Sequence, residues 1–326
     1  MNLLVTGGAG YIGSATSAEL IAAGHAVTVF DNLSRGHRAA VPQGARFVHG
    51  DIADRAALAQ TFASEKFDAV LHFASLIEAG ESMKDPAAFF RANVAHSNNV
   101  IEAAVRAGCL KFVLSSTAAI FAGSDQPLAE ETVIAPANVY GETKLMIETM
   151  LRWNARVHGL RYACLRYFNA AGAAPDRGEA HQPESHLIPR VLAVAQGNAA
   201  SAIVYGVDYP TPDGTCIRDY IHILDLAQAH VLAVEALNDR PVLVYNLGNG
   251  QGYSVRQVID TARAVTGHPI PVAELPRRPG DAPRLVAASD KIRRELGWTP
   301  RHPDLADIIA SAWQWHTSHP HGYDLT

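Results

Sequence analysis

The sequence predicts an α/β fold: a doubly wound parallel sheet with a smaller C-terminal α/β substrate domain. The first observation is the N-terminus, where an apolar segment at 3–5 runs into glycines at 7, 8, 10 and 13 and then into a helical pattern at 15–23. The second observation is that strand-like and helical segments alternate through the first half of the chain. Such alternation is typical of a parallel sheet covered by helices on both faces.

The individual elements follow from apolar runs and helical periodicity. Strands are predicted at 26–30, 47–48, 69–73, 111–115, 162–167 and 242–247, and further helices at 86–108, 140–158 and 219–236. Prolines, glycines and polar residues interrupt the pattern from 172 to 214. We therefore predict a dinucleotide-binding domain of the Rossmann type from 1–172 with about 214–246, and a smaller substrate-binding domain from 173–213 with 247–326.

The glycine turn predicts a dinucleotide site. Gly7, Gly10 and Gly13 lie between the first strand and the first helix, where the backbone can approach a pyrophosphate and free amides face it. Asp31 ends the second apolar run, about 20 residues further on, where a carboxylate can accept both ribose hydroxyls. Because that carboxylate repels a 2′-phosphate, the sequence favours NAD over NADP.

Composition excludes several classes of protein. The net charge of −5 in 326 residues comes without a basic patch, so we expect no nucleic-acid partner. No apolar run reaches the roughly 18 residues of a membrane span, and we expect no membrane partner and a cytoplasmic protein. The three cysteines, Cys109, Cys164 and Cys216, are scattered and predict buried thiols, with neither disulfides nor a metal site.

A catalytic group is predicted near the middle of the chain. Tyr140 and Lys144 are four residues apart, on one face of a predicted helix. A nearby ammonium favours the phenolate and lowers the pKa of a tyrosine, which makes a base near neutral pH. The preceding strand ends in Ser115, Ser116 and Thr117, at the edge where parallel sheets hold ligands.

At this point the chain resembles the extended short-chain dehydrogenase/reductase family, and within it the enzymes that epimerise UDP-hexoses at carbon 4. The resemblance covers nearly the whole chain. Its motifs are at 6–13, 31–34, 50–52, 72–74, 80–82, 115–118, 140–144, 166–169, 186–189, 208–214, 218–222, 245–248 and 277–281. The last five motifs separate these epimerases from other reductases.

The resemblance implies specific site residues. The catalytic residues would be Thr117, Tyr140 and Lys144. Besides these three, the NAD site would contain Gly7, Gly10, Tyr11, Ile12, Gly13, Asp31, Asn32, Ser34, Asp51, Ile52, Phe73, Ala74, Ser75, Asn93 and Phe168. The UDP-sugar would be bound by Thr117, Asn169, His186, Leu187, Ile203, Tyr205, Arg218, Arg278 and Asp281.

The implied activity is reversible NAD-dependent epimerisation of UDP-galactose and UDP-glucose through a 4-keto sugar. Similar enzymes form homodimers through helices like those at 86–108 and 140–158. Three departures bear on the activity: Phe121-Ala122 replaces a usual tyrosine-glycine pair, Ile77 replaces a lysine of some members, and Leu285 lies near a position that governs acceptance of N-acetylated sugars.

Three alternatives remain open. The first is a 4-epimerase of another UDP sugar, such as an N-acetylhexosamine, a pentose or a uronate. The second is a nucleotide-sugar 4,6-dehydratase, although Ala118-Ala119 stands where such enzymes carry Asp-Glu. The third is an NAD-sensing protein without catalysis, against which the set of Thr117, Tyr140 and Lys144 argues.

Overall fold

The structure of the chain is a computed structural model that describes residues 1–278 and 281–323. The strands are β1 (Asn2–Thr6), β2 (Ala26–Asp31), β3 (Arg46–His49), β4 (Ala69–His72), β5 (Lys111–Thr117), β6 (Arg161–Tyr167), β7 (Asn169–Ala171), β8 (Ala202–Tyr205), β9 (Ile217–His222), β10 (Val242–Leu247), β11 (Gly252–Ser254), β12 (Val272–Leu275) and β13 (Arg284–Leu285).

The α-helices are α1 (Tyr11–Ala22), α2 (Arg55–Ser64), α3 (Ala79–Ser82), α4 (Pro86–Phe89), α5 (His96–Arg106), α6 (Val139–His158), α7 (Leu187–Ala195), α8 (Ile223–Ala236), α9 (Val255–Thr266), α10 (Asp290–Leu296) and α11 (Leu305–Ser318). Short 3-10 helices span Arg38–Ala40 and Ala118–Ile120. A π-helical segment, Phe90–Ala95, joins α4 to α5. The helix predicted at 86–108 is therefore one helical stretch with a π turn inside it.

A seven-stranded sheet forms the larger part of the molecule. Its strand order is β10-β6-β5-β4-β1-β2-β3, and each neighbouring pair is parallel. The chain adds strands outward from β1 to β3 and then crosses to the other side of β1, so the order reverses between β1 and β4. This is the doubly wound arrangement, and it confirms the predicted Rossmann-type fold.

Both faces of this sheet are covered. Leu3 and Val5 of β1 belong to one apolar cluster, which includes Leu226 of α8. Leu4, between them, belongs to the opposite cluster, with Leu58 of α2 and Ile101 of α5. Successive strand residues point to opposite faces, and here both faces are apolar. This is why the strands appear as continuous apolar runs in the sequence.

The smaller part contains two further sheets. β9 pairs with β7, β11 and β13, while β8 pairs with β12. The apolar sides of α7, α9 and α11 share one core cluster beside them.

The prediction of a helix over 219–236 is wrong at its start. Residues 219–222 belong to β9, and α8 begins at Ile223. Pairing with β7, β11 and β13 outweighs local helical periodicity, and the ring of His222 accepts from the Leu224 amide at the start of α8. β7 and β9 thus lie in a smaller sheet, whereas α8 packs on the large one. The domain division given above stays a prediction.

Two expectations from composition bear on this fold. Cys109, Cys164 and Cys216 are buried free thiols, as predicted. Within residues 1–278 and 281–323, no helix has the length and apolar character needed to cross a membrane.

The first testable prediction concerns the packing of α6. A Cβ added at Gly141 would lie 2.2 Å from the carbonyl oxygen of Ala119, in the 3-10 helix after β5. Gly141→Ala should therefore push α6 away from β5 and destabilise the protein by about 1–3 kcal/mol. Chemical denaturation measures this. Gly80→Ala is the control, because a Cβ there meets no atom of the described chain within 4 Å, and equal stability of the two variants would contradict the prediction.

Candidate active site

In the turn after β1, glycines allow backbone segments to approach one another closely. Gly7 has a φ of +75°, and a Cβ there would lie 2.5 Å from the Ala74 amide nitrogen. A Cβ at Gly13 would lie 2.3 Å from the Gly7 carbonyl oxygen. α1 starts at Tyr11, and no side chain of the described residues caps its N-terminus. The free amides of that first turn can bind a pyrophosphate.

Asp31 lies beside this turn, at the end of β2. It is 8% exposed, and its two carboxylate oxygens accept the amides of Ala9 at 2.9 Å and Leu33 at 2.8 Å. Burial raises the pKa of Asp31, although both hydrogen bonds oppose the change. Each oxygen keeps a lone pair for a ribose hydroxyl. Glycine turn, free amides and carboxylate together fit a dinucleotide.

The other residues predicted for the adenosine end follow β2 and β3. Asn32 Nδ2 donates to Asp51 Oδ2 at 2.8 Å, and the Ser34 amide donates to Asn32 Oδ1 at 2.9 Å. Ile52 is half-buried, and its carbonyl accepts Asn99 Nδ2 at 3.1 Å. These contacts bring the loops after β2 and β3 together at one edge of the sheet.

The loop after β4 lies against the glycine turn. The amides of Phe73 and Ala74 both donate to the Thr6 carbonyl, at 2.8 and 3.1 Å. Asn93 is fully buried and bonds to the Leu76 amide, the Leu76 carbonyl and Thr143 Oγ1. Its amide group therefore ties the loop after β4 to α6.

Tyr11, Ile12 and Phe168 complete the predicted cofactor set. The Tyr11 hydroxyl donates to the Gly172 carbonyl at 2.6 Å, so it joins α1 to the segment after β7. Ile12 is half-buried and packs against the core on one face of the large sheet. Phe168 is buried just after β6, in one cluster with Phe121.

The predicted catalytic residues lie where β5 ends and α6 begins: Thr117 is the last residue of β5, and Tyr140 and Lys144 lie in the first turns of α6. Asn138 caps α6 by accepting the Gly141 amide at 2.9 Å. The Tyr140 amide donates to Ser82 Oγ at 3.1 Å. The Lys144 ammonium lies 5.9 Å from the centre of the Tyr140 ring, and the Thr117 side chain, which accepts the Ala119 amide at 3.1 Å, lies close enough to the phenol to affect its pKa.

The pKa of the phenol does not follow the sequence-based expectation. Burial raises the pKa of Tyr140 to about 12, the Thr117 side chain lowers it in part, and the charge of Glu78 raises it further. Burial also lowers the pKa of Lys144 to about 7. The expectation of a lowered phenol pKa is therefore wrong for the protein's own groups, because burial of the phenol is the largest effect on that pKa.

Residues predicted to hold UDP meet around Asp281. Arg278 Nε donates to Asp281 Oδ2 at 2.8 Å, and Arg218 Nη2 lies 3.6 Å from Asp281 Oδ1. The Arg278 guanidinium lies 4.8 Å from the centre of the Tyr205 ring. Two cations and an aromatic ring thus share one site. Residues 279–280 of this motif lie outside the described residues.

The remaining predicted substrate residues lie around the smaller sheets. Asn169 begins β7 and is in register with Tyr220 of β9, and Ile203 is half-buried in β8. His186 precedes α7 and Leu187 begins it, with no side-chain cap from the described residues. Leu285 is in register with Arg218, since β13 pairs with β9, and it packs in the cluster of Phe121 and Phe168.

His186, predicted to contact the substrate, belongs to a group of glutamates and histidines after β7 whose other members the sequence did not predict. His181 Nδ1 lies 2.5 Å from Glu179 Oε1, and His186 Nδ1 lies 2.7 Å from Glu184 Oε1 and 3.7 Å from Glu179 Oε2. Ligand atoms of Glu179, Glu184 and His186 lie within 4.8 Å of one another. The spacing 179, 181, 184, 186 of these residue types was the signal available in the sequence.

This group carries charge. Burial alone would lower the pKa of His186, but the hydrogen bond to Glu184 and the charge of Glu179 raise it to about 9. Burial raises the pKa of Glu179, yet His181 and His186 bring it below its usual range. The carboxylates that contact these imidazoles favour the protonated forms of both rings.

A contact from Arg35 to two other loops was also missed. Its guanidinium donates to the Gln182 carbonyl at 2.5 Å and lies 3.3 Å from Glu78 Oε1. It therefore links the loop after β2 to the loop after β4 and to the segment after β7.

Comparison with known proteins agrees with this geometry. Residues 3–248 match the model of the NAD dependent epimerase/dehydratase family. The chain belongs to this family, and the predicted family and NAD cofactor are confirmed.

Several relatives that match over nearly the whole chain are UDP-glucose 4-epimerases. Over 99% of its length and 98% of the relative, the chain is 49% identical to a UDP-glucose 4-epimerase of Halalkalibacterium halodurans. A structure of the UDP-glucose 4-epimerase of Brucella ovis with NAD matches with a TM-score of 0.91 at 46% identity, over 95% of this chain and 96% of that one. A structure of the UDP-glucose 4-epimerase of Bifidobacterium longum with NAD+ and UDP matches with a TM-score of 0.95 at 36% identity, over 99% of this chain and 100% of that one.

The second testable prediction concerns His186. Its pKa is raised from the usual 6.5 to about 9, so its contribution to stability is full below pH 6.5 and is lost as the pH rises through 9. Glu184→Gln should make this loss smaller. Because 40% of the His186 side chain is exposed, solvent screens the pair, and we expect a difference of about 1–3 °C in Tm between these pH limits.

The measurement is thermal unfolding of both proteins across that pH range. Glu131→Gln, at an exposed carboxylate, is the control and should follow the wild type. A Glu184→Gln profile parallel to that of the wild type would contradict the assignment of charge to His186.

Proposed function

We propose that the chain catalyses reversible epimerisation at carbon 4 of a UDP-hexose and interconverts UDP-galactose and UDP-glucose through a 4-keto sugar. The observation that carries this proposal is the convergence of Thr117, Tyr140 and Lys144 at the sheet edge that also bears the glycine turn. The grouping of Arg218, Arg278 and Asp281 in the smaller part supports a UDP-sugar as the substrate partner.

The chemistry divides between cofactor and chain. Bound NAD would supply the hydride acceptor and, when oxidised, a positive charge that favours the phenolate of Tyr140. As the phenolate, Tyr140 Oη takes the proton of the 4-hydroxyl, and Thr117 hydrogen-bonds the same reacting oxygen. Lys144 would donate an N–H to the nicotinamide ribose. Arg218 and Arg278 hold the pyrophosphate while the 4-keto sugar turns, so binding energy is concentrated on UDP.

The dehydratase alternative lacks an observation in its favour. Elimination of water needs an additional acid and base, and Ala118 and Ala119 offer neither at the start of the 3-10 helix after β5. Another UDP sugar remains the second candidate, because Leu285 opposite Arg218 leaves more room than an aromatic side chain.

The third testable prediction concerns the base. Tyr140→Phe removes the hydroxyl alone, and kcat for UDP-galactose should fall by about 10²–10⁴-fold. NAD extracted from the denatured variant should match that of the wild type, which separates loss of the base from loss of the cofactor. Tyr253→Phe, whose hydroxyl bonds Gln251 outside the site, is the control. Wild-type turnover by Tyr140→Phe would reject the assignment.

The fourth testable prediction concerns substrate choice. We expect activity on UDP-galactose and weaker activity on UDP-N-acetylgalactosamine. Leu285→Tyr should reduce kcat/KM for the N-acetylated sugar more than for UDP-galactose, because added bulk clashes with the larger sugar. Val133→Tyr, at a position that is 79% exposed in the loop before α6, is the control for added bulk. An unchanged ratio in Leu285→Tyr removes Leu285 from the sugar pocket.

The fifth testable prediction concerns a homodimer. Met146, Trp153 and Val157 lie on one side of α6 and remain 39%, 55% and 67% exposed. An apolar stripe of this kind is typical of an interface, so we propose that two copies pair through α5 and α6. Light scattering should give twice 34.9 kDa, and Trp153→Glu should give the monomer mass. A monomeric wild type would contradict the pairing.

A further inference from the structure

Lys144 is buried differently from the other lysines. The chain has lysines at 66, 84, 111, 144 and 291, and Lys144 alone among them is buried, at 1% exposure. Its Nζ lies 2.9 Å from Ser75 Oγ and 2.9 Å from the Ser115 carbonyl oxygen. An ammonium has three donors, so one N–H is left over after these two bonds.

The charged form of Lys144 depends on neutral oxygens. Within the described residues, no carboxylate lies within salt-bridge distance of its Nζ. The titratable groups around it are Tyr140 on α6, 5.9 Å away at its ring centre, and His72 at the end of β4, whose pKa is lowered to about 3 by burial and by the charge of Lys144. When a buried cation has no counter-ion, its hydrogen-bond acceptors are what compensates for its removal from water.

Ser75 is held firmly in its loop. The amide of its neighbour Ala74 donates to the Thr6 carbonyl at 3.1 Å. The next residue, Leu76, is bonded on both its amide and its carbonyl by Asn93, at 2.8 and 2.9 Å. The Ser75 hydroxyl lies 3.5 Å from the Phe73 carbonyl, toward which it donates, so a lone pair of Oγ faces the ammonium.

We propose that Ser75 is a positioning residue for this reaction: its Oγ keeps Lys144 in the ammonium form and, together with the Ser115 carbonyl, aims the remaining N–H at the cofactor ribose. The proposal rests on the proposed function for its catalytic consequence. It goes beyond a contact between Ser75 and the cofactor, because the hydroxyl acts through Lys144.

The direct test is the pKa of Lys144. Because an acceptor favours the charged form, Ser75→Ala should lower this pKa by about 1 from the value in the wild type. With lysine labelled at Cε, NMR titration of the holoenzyme follows five signals, and Lys144→Met assigns the one that matters. Ser75→Thr keeps a hydroxyl and should restore the pKa. An unchanged pKa in Ser75→Ala overturns the proposal.

The kinetic test uses the same variants. Activity that needs the ammonium falls as the pH rises through the pKa of Lys144, so Ser75→Ala should move this fall to lower pH. kcat should fall about 10-fold above neutral pH, with KM for UDP-galactose nearly unchanged. Ser64→Ala, on the surface of α2, is the control and should retain the wild-type profile. A shifted pKa without a shifted profile overturns the link to Lys144.

These outcomes separate the two proposals. A wild type that turns over no UDP sugar rejects the proposed function, and the NMR titration still decides whether Ser75 holds the Lys144 ammonium. An active wild type whose Lys144 pKa does not respond to Ser75→Ala rejects the role of Ser75 alone.

Discussion

The parallel register of the large sheet is the constraint on which the site depends. Thr6 at the end of β1 is in register with Phe30 of β2 and with His72 of β4. Since each neighbouring pair is parallel, the carboxyl ends of these strands face the same side. The glycine turn, Asp31, Ser75 and the Thr117 hydroxyl all follow or end such strands, so residues distant in sequence meet at a single edge.

A buried carboxylate fixes the smaller part. Asp219 is fully buried in β9, and its oxygens accept the amides of Asn249 at 2.8 Å, Gly250 at 2.9 Å and Ala287 at 3.0 Å. Burial raises its pKa to about 6 against the effect of these bonds. The three amides come from segments on either side of β9, so the carboxylate determines where the adjacent Arg218 and the facing Leu285 lie.

Two buried cations, Arg166 and Lys144, differ in the charge of their hydrogen-bond partners. Arg166 is paired with Glu148, whose Oε2 lies 2.6 Å from Nη2. Within the described residues, the hydrogen-bond acceptors of Lys144 Nζ are the Ser75 hydroxyl and the Ser115 carbonyl, neither of which is charged. A cation bound to a carboxylate is satisfied within the protein, whereas one bound to neutral acceptors retains its attraction for a ligand. The difference separates a structural charge from one that is available to the site.

The sequence by itself determined the fold class and most of the chemistry. Glycines at a turn, an acid at the end of the next strand and a Tyr-x-x-x-Lys pair are local patterns, and each has a local physical cause. The features that were predicted wrongly, or not predicted at all, depend on contacts between segments that are distant in the sequence. Residues 219–222 form a strand because partners from three other segments pair with them. The pKa of Tyr140 rises because the fold partly buries the phenol, and Ser75 reaches Lys144 across 69 residues. Burial and long-range pairing are properties of the assembled chain, so only the tertiary structure decided them.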